Sequence, residues 1–335
     1  MTGVLLPAIS SDDDYLAVTG DPDLRGAIAE ALAVRHDFAL RDLRAFPGGS
    51  LLVLDTGAGR VIKLYSPLQP EDHETEVAAL RAVEGLLPVE TPRILASGDI
   101  DGWPYAVMTR LPGQPANARW VEGRPEDDPW RRIPRPDQLR IAEEVGRAVA
   151  ALHRVPTGTL PSAMRPDWDA FIAGQRETCV ERMKRGGLGE PWLDQIPSFL
   201  DSVDLGPPTE GVLLHTEIMR DHTLVEPRDD GWRLCGLLDF EPAMVGAPEY
   251  ELASVAMFLT GGDLDAFRAF LRGYGFPGSE QTPDFARRVL AWLLLHRYGN
   301  LAWYLAMLPE QGGATTLDAL AAAWWPFGTV RTSVT

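Results

Sequence analysis

Between Gly211 and Glu241 the chain leaves helical patterning for strand patterning, and this polar β segment constrains the fold more than any other. The apolar run Val212-Leu213-Leu214 delivers His215-Thr216-Glu217, and a second run, Thr223-Leu224-Val225, leads away. Gly231 to Leu238 then forms another arm that ends in Asp239-Phe240-Glu241. A carboxylate at the end of an apolar strand is seldom there for packing, because an ionised group is costly to bury alone. Glu217 and Asp239 are two such carboxylates on one short segment.

The flanking sequence divides unevenly. Ser10 to Asp23 is acidic and reads as turn-rich, and Leu24, Ile28 and Leu32 then recur at helical spacing. Leu51 to Leu54 and Val61 to Tyr65, joined by Asp55-Thr56-Gly57-Ala58-Gly59, read as a hairpin. A helix is expected from about Asp72 to Leu87, followed by strands at Pro92 to Ser97 and Tyr105 to Thr109. Beyond Leu111-Pro112-Gly113 the connection Arg119 to Pro136 reads as an irregular loop. Helical patterns then cover Asp137 to His153, Trp168 to Arg185, Leu264 to Gly273 and Pro283 to Leu308. The expectation is an α+β fold of two lobes. Residues 1–110 form a small antiparallel-sheet lobe, and residues 111–335 form a larger helical lobe carrying the polar β segment.

Lys63 lies in Arg60-Val61-Ile62-Lys63-Leu64-Tyr65, where alternation sends Ile62 and Leu64 to one face and Lys63 to the other. A lone strand lysine is ordinarily just solvated. Glu76, on the inward edge of the helix that follows, changes that. A strand lysine held by a helix glutamate is how kinases grip the α- and β-phosphates, and pairing offsets the cost of placing either charge in a cleft. Gly48, Gly49 and Ser50 stand just before the first strand, where glycines let backbone amides approach phosphate oxygens. Two adjacent glycines also make an ordinary turn.

With 31 basic and 48 acidic residues the net charge is −17, which argues against non-specific nucleic-acid binding and suits a cationic small molecule. Acidity also simply keeps a protein in solution. Cys179 and Cys235 are too few for a disulfide framework or a zinc cluster, so a reducing cytoplasm is the expected location. No apolar stretch reaches membrane-spanning length, and Met1 to Pro7 lacks the basic and apolar regions of a signal peptide.

Phosphoryl transfer needs one carboxylate to orient the attacking hydroxyl and another to hold a metal ion on the phosphates, and Glu217 and Asp239 fit those roles. In this segment the chain resembles the aminoglycoside phosphotransferase family, which reads His-Gly-Asp-Leu, then Asn, then a strand ending in Asp-Phe or Asp-Trp. The matching residues are His215, Thr216, Glu217 and Ile218, then His222, and later Asp239-Phe240. Ser10 to Tyr15, Val61 to Tyr65, Pro104 to Arg110, Leu152 to Pro156 and Trp324-Trp325 occur in an order similar to the hygromycin B phosphotransferase branch. The resemblance covers essentially the whole chain.

It implies a protein-kinase-like fold and transfer from ATP or GTP to a hydroxyl of a small, cationic molecule such as an aminoglycoside or aminocyclitol antibiotic. It also implies a purine base against the backbone of Met108, Thr109, Arg110 and Leu111, with Lys63 on the phosphates and Glu76 holding Lys63. Asp239 would carry Mg²⁺ or Mn²⁺, with His222 completing the metal shell. Glu217 would orient the acceptor hydroxyl, and His215 would be a structural residue of the catalytic loop.

Two departures stand out: Glu217 replaces the family's aspartate and His222 its asparagine. Glutamate reaches one methylene further, and imidazole is a poorer ligand than oxygen for Mg²⁺. Two rival expectations follow. One is a pseudokinase that binds nucleotide without turnover, and the other is a kinase-like enzyme that transfers AMP. The pair His215-x-Glu217 with His222 also matches the ligand set of non-haem iron oxygenases, but nothing around it reads as their double-sheet barrel. The oligomeric state has no sequence signal.

Other conspicuous residues have plainer readings. His153 ends a helix, where a cation complements the dipole. Trp292, Tyr298, Trp303 and Tyr304 read as the core face of one long helix, and Glu251 as a brace for the catalytic loop.

Overall fold

A computed structural model describes residues 6–117, 119–121, 124–127, 129–206, 210–308 and 313–328. These fall into two compact units. The first comprises the chain up to Gly85 together with Glu90–Pro112 and Gly236–Ala243; the second comprises Leu86–Val89, Gly113–Cys235 and the chain from Met244 onward.

The first unit opens with α1 (Asp12–Gly20) and α2 (Pro22–Arg35). The acidic stretch expected to be turn-rich is therefore helical. Ser11 caps it by accepting the Asp14 N–H, and Asp12, Asp13 and Asp14 place negative charge at the positive end of the helix. Asp21 caps α2 in the same way, with Pro22 at the first helical position.

Then follow β1 (Arg44–Ala45), β2 (Leu52–Asp55), β3 (Arg60–Leu64), α3 (Pro70–Val83), β4 (Ile94–Ile100) and β5 (Trp103–Thr109). The five strands form one antiparallel sheet in the order β1-β2-β3-β5-β4. Leu52, Leu54, Ile62, Leu64, Tyr105 and Val107 share a core with Ile28 and Leu32 of α2. Lys63, in register with Val53 and Ala106, falls on the opposite face as the two-residue period requires. Helix α3 buries Glu76 with Val77, Leu80 and Val83. It stops before the expected Leu87, and Gly85 at φ +71 turns the chain away just beyond its end.

The second unit contains β6 (Gln114–Pro115), β7 (Arg119–Val121), β8 (Arg124–Asp127), α4 (Pro129–Arg132), α5 (Arg135–Leu152), α6 (Trp168–Arg185), α7 (Glu190–Leu193) and α8 (Ile196–Ser202). It continues with β9 (Val212–Leu214), β10 (Thr223–Arg228), β11 (Gly231–Leu237, whose last two residues belong to the first unit) and β12 (Met244–Gly246). Helices α9 (Tyr250–Ser254), α10 (Leu264–Tyr274), α11 (Pro283–Leu295), α12 (Leu301–Met307) and α13 (Leu317–Trp324) complete it. The connection expected to be irregular holds the β7–β8 hairpin. Residues 122, 123 and 128 of that connection, and 1–5 at the N-terminus, lie outside the described residues.

Helices α5 and α10 meet backbone to backbone. A Cβ on Gly146 would lie 2.2 Å from the Phe270 carbonyl oxygen, and one on Gly273 would lie 2.0 Å from that of Glu143. Only glycine fits either position. Strands β11, β10 and β6 form a small sheet, and β9 pairs antiparallel with β12. The polar loop therefore leaves β9 and enters β10 through a 3₁₀ turn at Arg220–His222.

The helix expected over Pro283 to Leu308 is two helices. The chain breaks at His296-Arg297-Tyr298-Gly299, where a Cβ on Gly299 would meet the Leu293 carbonyl oxygen at 2.5 Å. Trp292 and Tyr304 are buried as expected, but Tyr298 and Trp303 are exposed. Among the described residues no helix is long and apolar enough to cross a membrane.

Candidate active site

The chemistry-bearing side chains form two groups, one in each unit. In the first, Lys63 Nζ lies 2.7 Å from Glu76 Oε2 and 2.6 Å from Asp239 Oδ1. Residues 176 positions apart are thus brought together. Asp239 reaches this unit because the chain leaving β11 is fastened to it: Leu237 donates its N–H to the Glu90 carbonyl at 3.0 Å, and Gly236 bridges Glu90 in parallel. Asp239 itself has φ +65, a left-handed conformation that aspartate tolerates better than most residues.

Two members of this group escaped the sequence reading. Tyr65, on the Lys63 face of the strand run by the same alternation, donates its hydroxyl to Glu76 Oε2 at 2.7 Å. Glu241 Oε2 stands 3.5 Å from Lys63 Nζ. The period-two pattern could have found Tyr65, and the spacing Asp239-x-Glu241 could have drawn attention to Glu241. Burial alone would lower the Lys63 pKa, but Glu76, Asp239 and Glu241 outweigh it and hold the ammonium well above its ordinary range. For Glu241, burial and the neighbouring Asp239 push the carboxyl up to about 7 despite Lys63. This is a cationic side chain fixed in place by carboxylates, beside an acid poised near neutrality.

Gly48 and Gly49 lie in the turn between the paired strands β1 and β2, with φ of +81 and +85, and Ser50 follows them there. The turn needs the glycines for their backbone freedom. Of the four residues expected to meet a purine, Met108 is buried and pairs with both Val61 and Ile94. Thr109 donates its N–H to the Arg93 carbonyl and Arg110 to that of Gly59, each at 3.0 Å. That leaves Leu111, beyond the end of β5, as the one whose N–H the sheet does not use.

The second group is the loop between β9 and β10. His215 is fully buried; its N–H reaches Glu251 Oε2 at 2.6 Å, and its Nδ1 accepts the Glu217 N–H at 3.3 Å. Glu251 therefore braces the loop, as its place in the sequence suggested. His222 Nδ1 lies 3.0 Å from the Glu217 carbonyl oxygen. A carbonyl oxygen only accepts, so Nδ1 carries a proton and donates it there.

Thr216 between them has φ +68, a conformation that a β-branched residue rarely adopts. Its carbonyl accepts from His296 Nε2 at 3.0 Å. His296 carries no signal in the sequence, because the helical pattern runs straight through the break that places it. His153 ends α5 as expected, with its Nδ1 paired with the Tyr274 hydroxyl at 2.9 Å and its Nε2 3.8 Å from Glu251 Oε2.

These two groups sit in a chain whose relatives can be named. The model of the APH phosphotransferase enzyme family matches residues 42–293. The chain belongs to that family. Viomycin phosphotransferase from Streptomyces vinaceus is 27% identical over 189 residues, 52% of this chain, and the match spans 59% of that relative's length. The solved GDP complex of wild-type aminoglycoside 2'-phosphotransferase-IIIa matches with a TM-score of 0.67 at 19% identity, covering 85% of this chain and 97% of that one. The macrolide 2'-phosphotransferase of Brachybacterium faecium, solved as the apoenzyme, gives 0.58 at 23% identity, covering 91% and 99%. The fold is the kinase-like fold of the aminoglycoside phosphotransferases, with an antiparallel sheet toward the N-terminus and helices toward the C-terminus. The match is to the family as a whole and does not single out its hygromycin B branch.

Proposed function

We propose that this protein is an ATP- or GTP-dependent O-phosphotransferase acting on a hydroxyl of a small cationic molecule of the aminoglycoside or aminocyclitol kind. The observation that carries the reading is Lys63, buried and held between Glu76 and Asp239 within 2.7 Å of each. Three charges in such contact, two of them on separate strand and helix elements, are costly to assemble for packing alone. In the first unit Lys63 meets the α- and β-phosphate oxygens, and Glu76 and Tyr65 fix its position. The amides of Gly48, Gly49 and Ser50 approach the phosphates, and the Leu111 N–H is the hinge donor to the base. Residues 1–110 are the nucleotide lobe, with 236–243 contributing Asp239, and residues from 111 onward carry the catalytic loop and acceptor site.

Each proposed metal ligand suits a divalent cation by its own chemistry: Asp239 offers a hard carboxylate, with its side chain 32% exposed, and His222 an imidazole nitrogen. Mg²⁺, or Mn²⁺, would neutralise phosphate charge there when bound. In the transfer the bond from the γ-phosphorus to the β-bridging oxygen breaks and a bond to the acceptor oxygen forms. The hydroxyl proton passes to Glu217, and the product nucleotide is the diphosphate. His215 keeps the loop in shape.

The relatives are named for phosphorylating viomycin, aminoglycosides and macrolides, and the net charge of −17 favours the cationic acceptors among these. A hygromycin B-like acceptor is the finer form of the proposal. The second reading, nucleotide binding without turnover, rests on Glu217 and His222 standing where the family has aspartate and asparagine.

Thermal melts with millimolar nucleotide and Mg²⁺ or Mn²⁺ test the nucleotide site. Ligand at a hundredfold over Kd stabilises by about 2.7 kcal/mol, and Lys63→Met should abolish the shift. No shift with either nucleotide would sink the reading. Incubation with γ-labelled and α-labelled ATP over a panel of aminocyclitols separates phosphoryl transfer from AMP transfer and from binding alone.

A further inference from the structure

We infer that Tyr15, on the first helix, is a positioning residue for nucleotide binding: its hydroxyl ties together the two strands that carry the glycine turn and Lys63. The inference rests on the nucleotide reading above and adds to it a residue that lies before residue 42, where the family match begins.

Tyr15 is almost completely buried. Its hydroxyl donates to the Leu64 carbonyl at 2.7 Å and accepts the Leu52 N–H at 2.8 Å. Leu52 and Leu64 are register partners across β2 and β3. One phenol oxygen therefore bridges a facing pair at the end of the hairpin nearest Gly48-Gly49-Ser50, one residue along the chain from Lys63. The bridge satisfies an N–H and a carbonyl at a ladder end in a buried setting. Burial pushes the phenol pKa up to about 12, so the hydroxyl remains a donor throughout the physiological range.

The ring is held as firmly as the hydroxyl. It stacks on Trp103 with centroids 5.5 Å apart and planes 24° apart, and the Trp103 indole N–H is fixed to the Pro7 carbonyl at 3.0 Å. Helix α1 thus sets the spacing of two backbones from the sheet face opposite Lys63. The glycine turn and the lysine must grip one triphosphate together, so a shift between β2 and β3 misplaces one against the other.

The test is calorimetric titration of Mg·ATP and Mg·GTP into the full chain, comparing wild type, Tyr15→Phe and Leu16→Ser. Tyr15→Phe keeps the stacked ring and removes only the bridging oxygen. It should weaken nucleotide binding about tenfold, as expected when one buried hydrogen-bond bridge is lost, while the KM for the acceptor stays at its wild-type value. Leu16→Ser alters the exposed face of the same helix and should leave nucleotide affinity unchanged. Unchanged nucleotide affinity in Tyr15→Phe, or an equal rise in both KM values, overturns the inference. Should Tyr15→Phe not fold, hydrogen exchange on the wild-type chain makes the same test. Nucleotide should slow exchange of the Leu52 amide along with the Gly48 to Ser50 amides, and protection of the turn with no change at Leu52 overturns it. A wild-type chain that binds neither nucleotide overturns the underlying reading, and this inference with it.

Discussion

His296 donates its Nε2 proton to the carbonyl oxygen of Thr216 at 3.0 Å, and Thr216 is in the left-handed region at φ +68. The other ring nitrogen, Nδ1, accepts the Tyr298 N–H at 3.3 Å, so the ring is neutral with its tautomer fixed by both partners. Tyr250 stacks on it with centroids 4.8 Å apart. A break between two helices therefore supplies the group that holds the loop carrying Glu217 in a strained backbone state. Strain of this kind persists only where the surroundings over-determine it.

The first prediction concerns pH. Burial pushes the His296 pKa down to about 4, whereas the unfolded chain has the ordinary value of 6.5. A depressed histidine pKa gives stability that is complete above 6.5 and lost as pH falls toward 4, because the unfolded state takes up the proton first. The loss attributable to this group at pH 5 is about 2 kcal/mol. His296→Gln retains an N–H donor for Thr216 and does not titrate. Urea unfolding at pH 7.5 and pH 5 should show the variant losing less stability than wild type over that interval. Equal losses would mean that His296 is not held neutral.

The strain at Thr216 makes a second prediction. Replacing a buried threonine by glycine ordinarily destabilises by about 0.5–3 kcal/mol, through lost packing and added chain entropy. At positive φ the relief of about 1–2 kcal/mol works in the opposite direction. Thr216→Gly, which restores the residue found in the family's pattern, should therefore unfold within about 1 kcal/mol of wild type. Thr216→Val keeps the strain and loses the hydroxyl, and should unfold earlier than either. A melt in which the glycine variant is the least stable of the three would show that the loop is not strained at this position.

How much of this was legible beforehand depended on whether a residue's partner lay on a regular period. Lys63 and Glu76 could be paired on paper because strand alternation and helical spacing each specify a face, and the structure puts them 2.7 Å apart. Asp239 was marked by its place after an apolar run, although nothing local could show that Leu237 fastens it to Glu90. His296 and Tyr15 stayed hidden for different reasons. The first depends on a helix break that Gly299 permits through close packing, a tertiary fact. The second lay in a run of aspartates that reads as a turn unless Ser11 is recognised as an N-cap. Tyr65 could have been found with the same alternation that selected Lys63.

The third prediction is about the metal. His222 Nδ1 donates to the Glu217 carbonyl, and the role proposed for the ring's other nitrogen is to hold the metal. Imidazole favours borderline cations, while the family's asparagine offers an oxygen. His222→Asn should therefore shift the ratio of Mn²⁺-supported to Mg²⁺-supported activity toward Mg²⁺. Steady-state rates at saturating concentrations of each metal measure it. An unchanged ratio would place His222 outside the metal shell, with a role confined to bracing the loop.

The last prediction concerns Glu217, on which turnover depends. Its backbone is held on both sides: the N–H by His215 Nδ1 at 3.3 Å and the carbonyl by His222 Nδ1 at 3.0 Å. A side chain on so fixed a backbone reaches a defined distance, and that distance is set by its own length. If Glu217 orients the acceptor hydroxyl and takes its proton, Glu217→Gln should leave nucleotide affinity nearly intact and lower kcat by roughly a hundredfold or more. Glu217→Asp is the sharper test. It restores the family's residue but shortens the reach by about 1.5 Å, one C–C bond, and in a loop built for glutamate it should also cost activity. Recovery of activity in a double variant Glu217→Asp/His222→Asn would show that the two departures from the family pattern are coupled adjustments of one loop. If Glu217→Asp alone raises turnover of an aminoglycoside hydroxyl, the loop was never retuned for glutamate and the natural enzyme is a weakened kinase. If Glu217→Gln changes no measurable reaction, Glu217 is not catalytic, and nucleotide binding without turnover becomes the function to pursue.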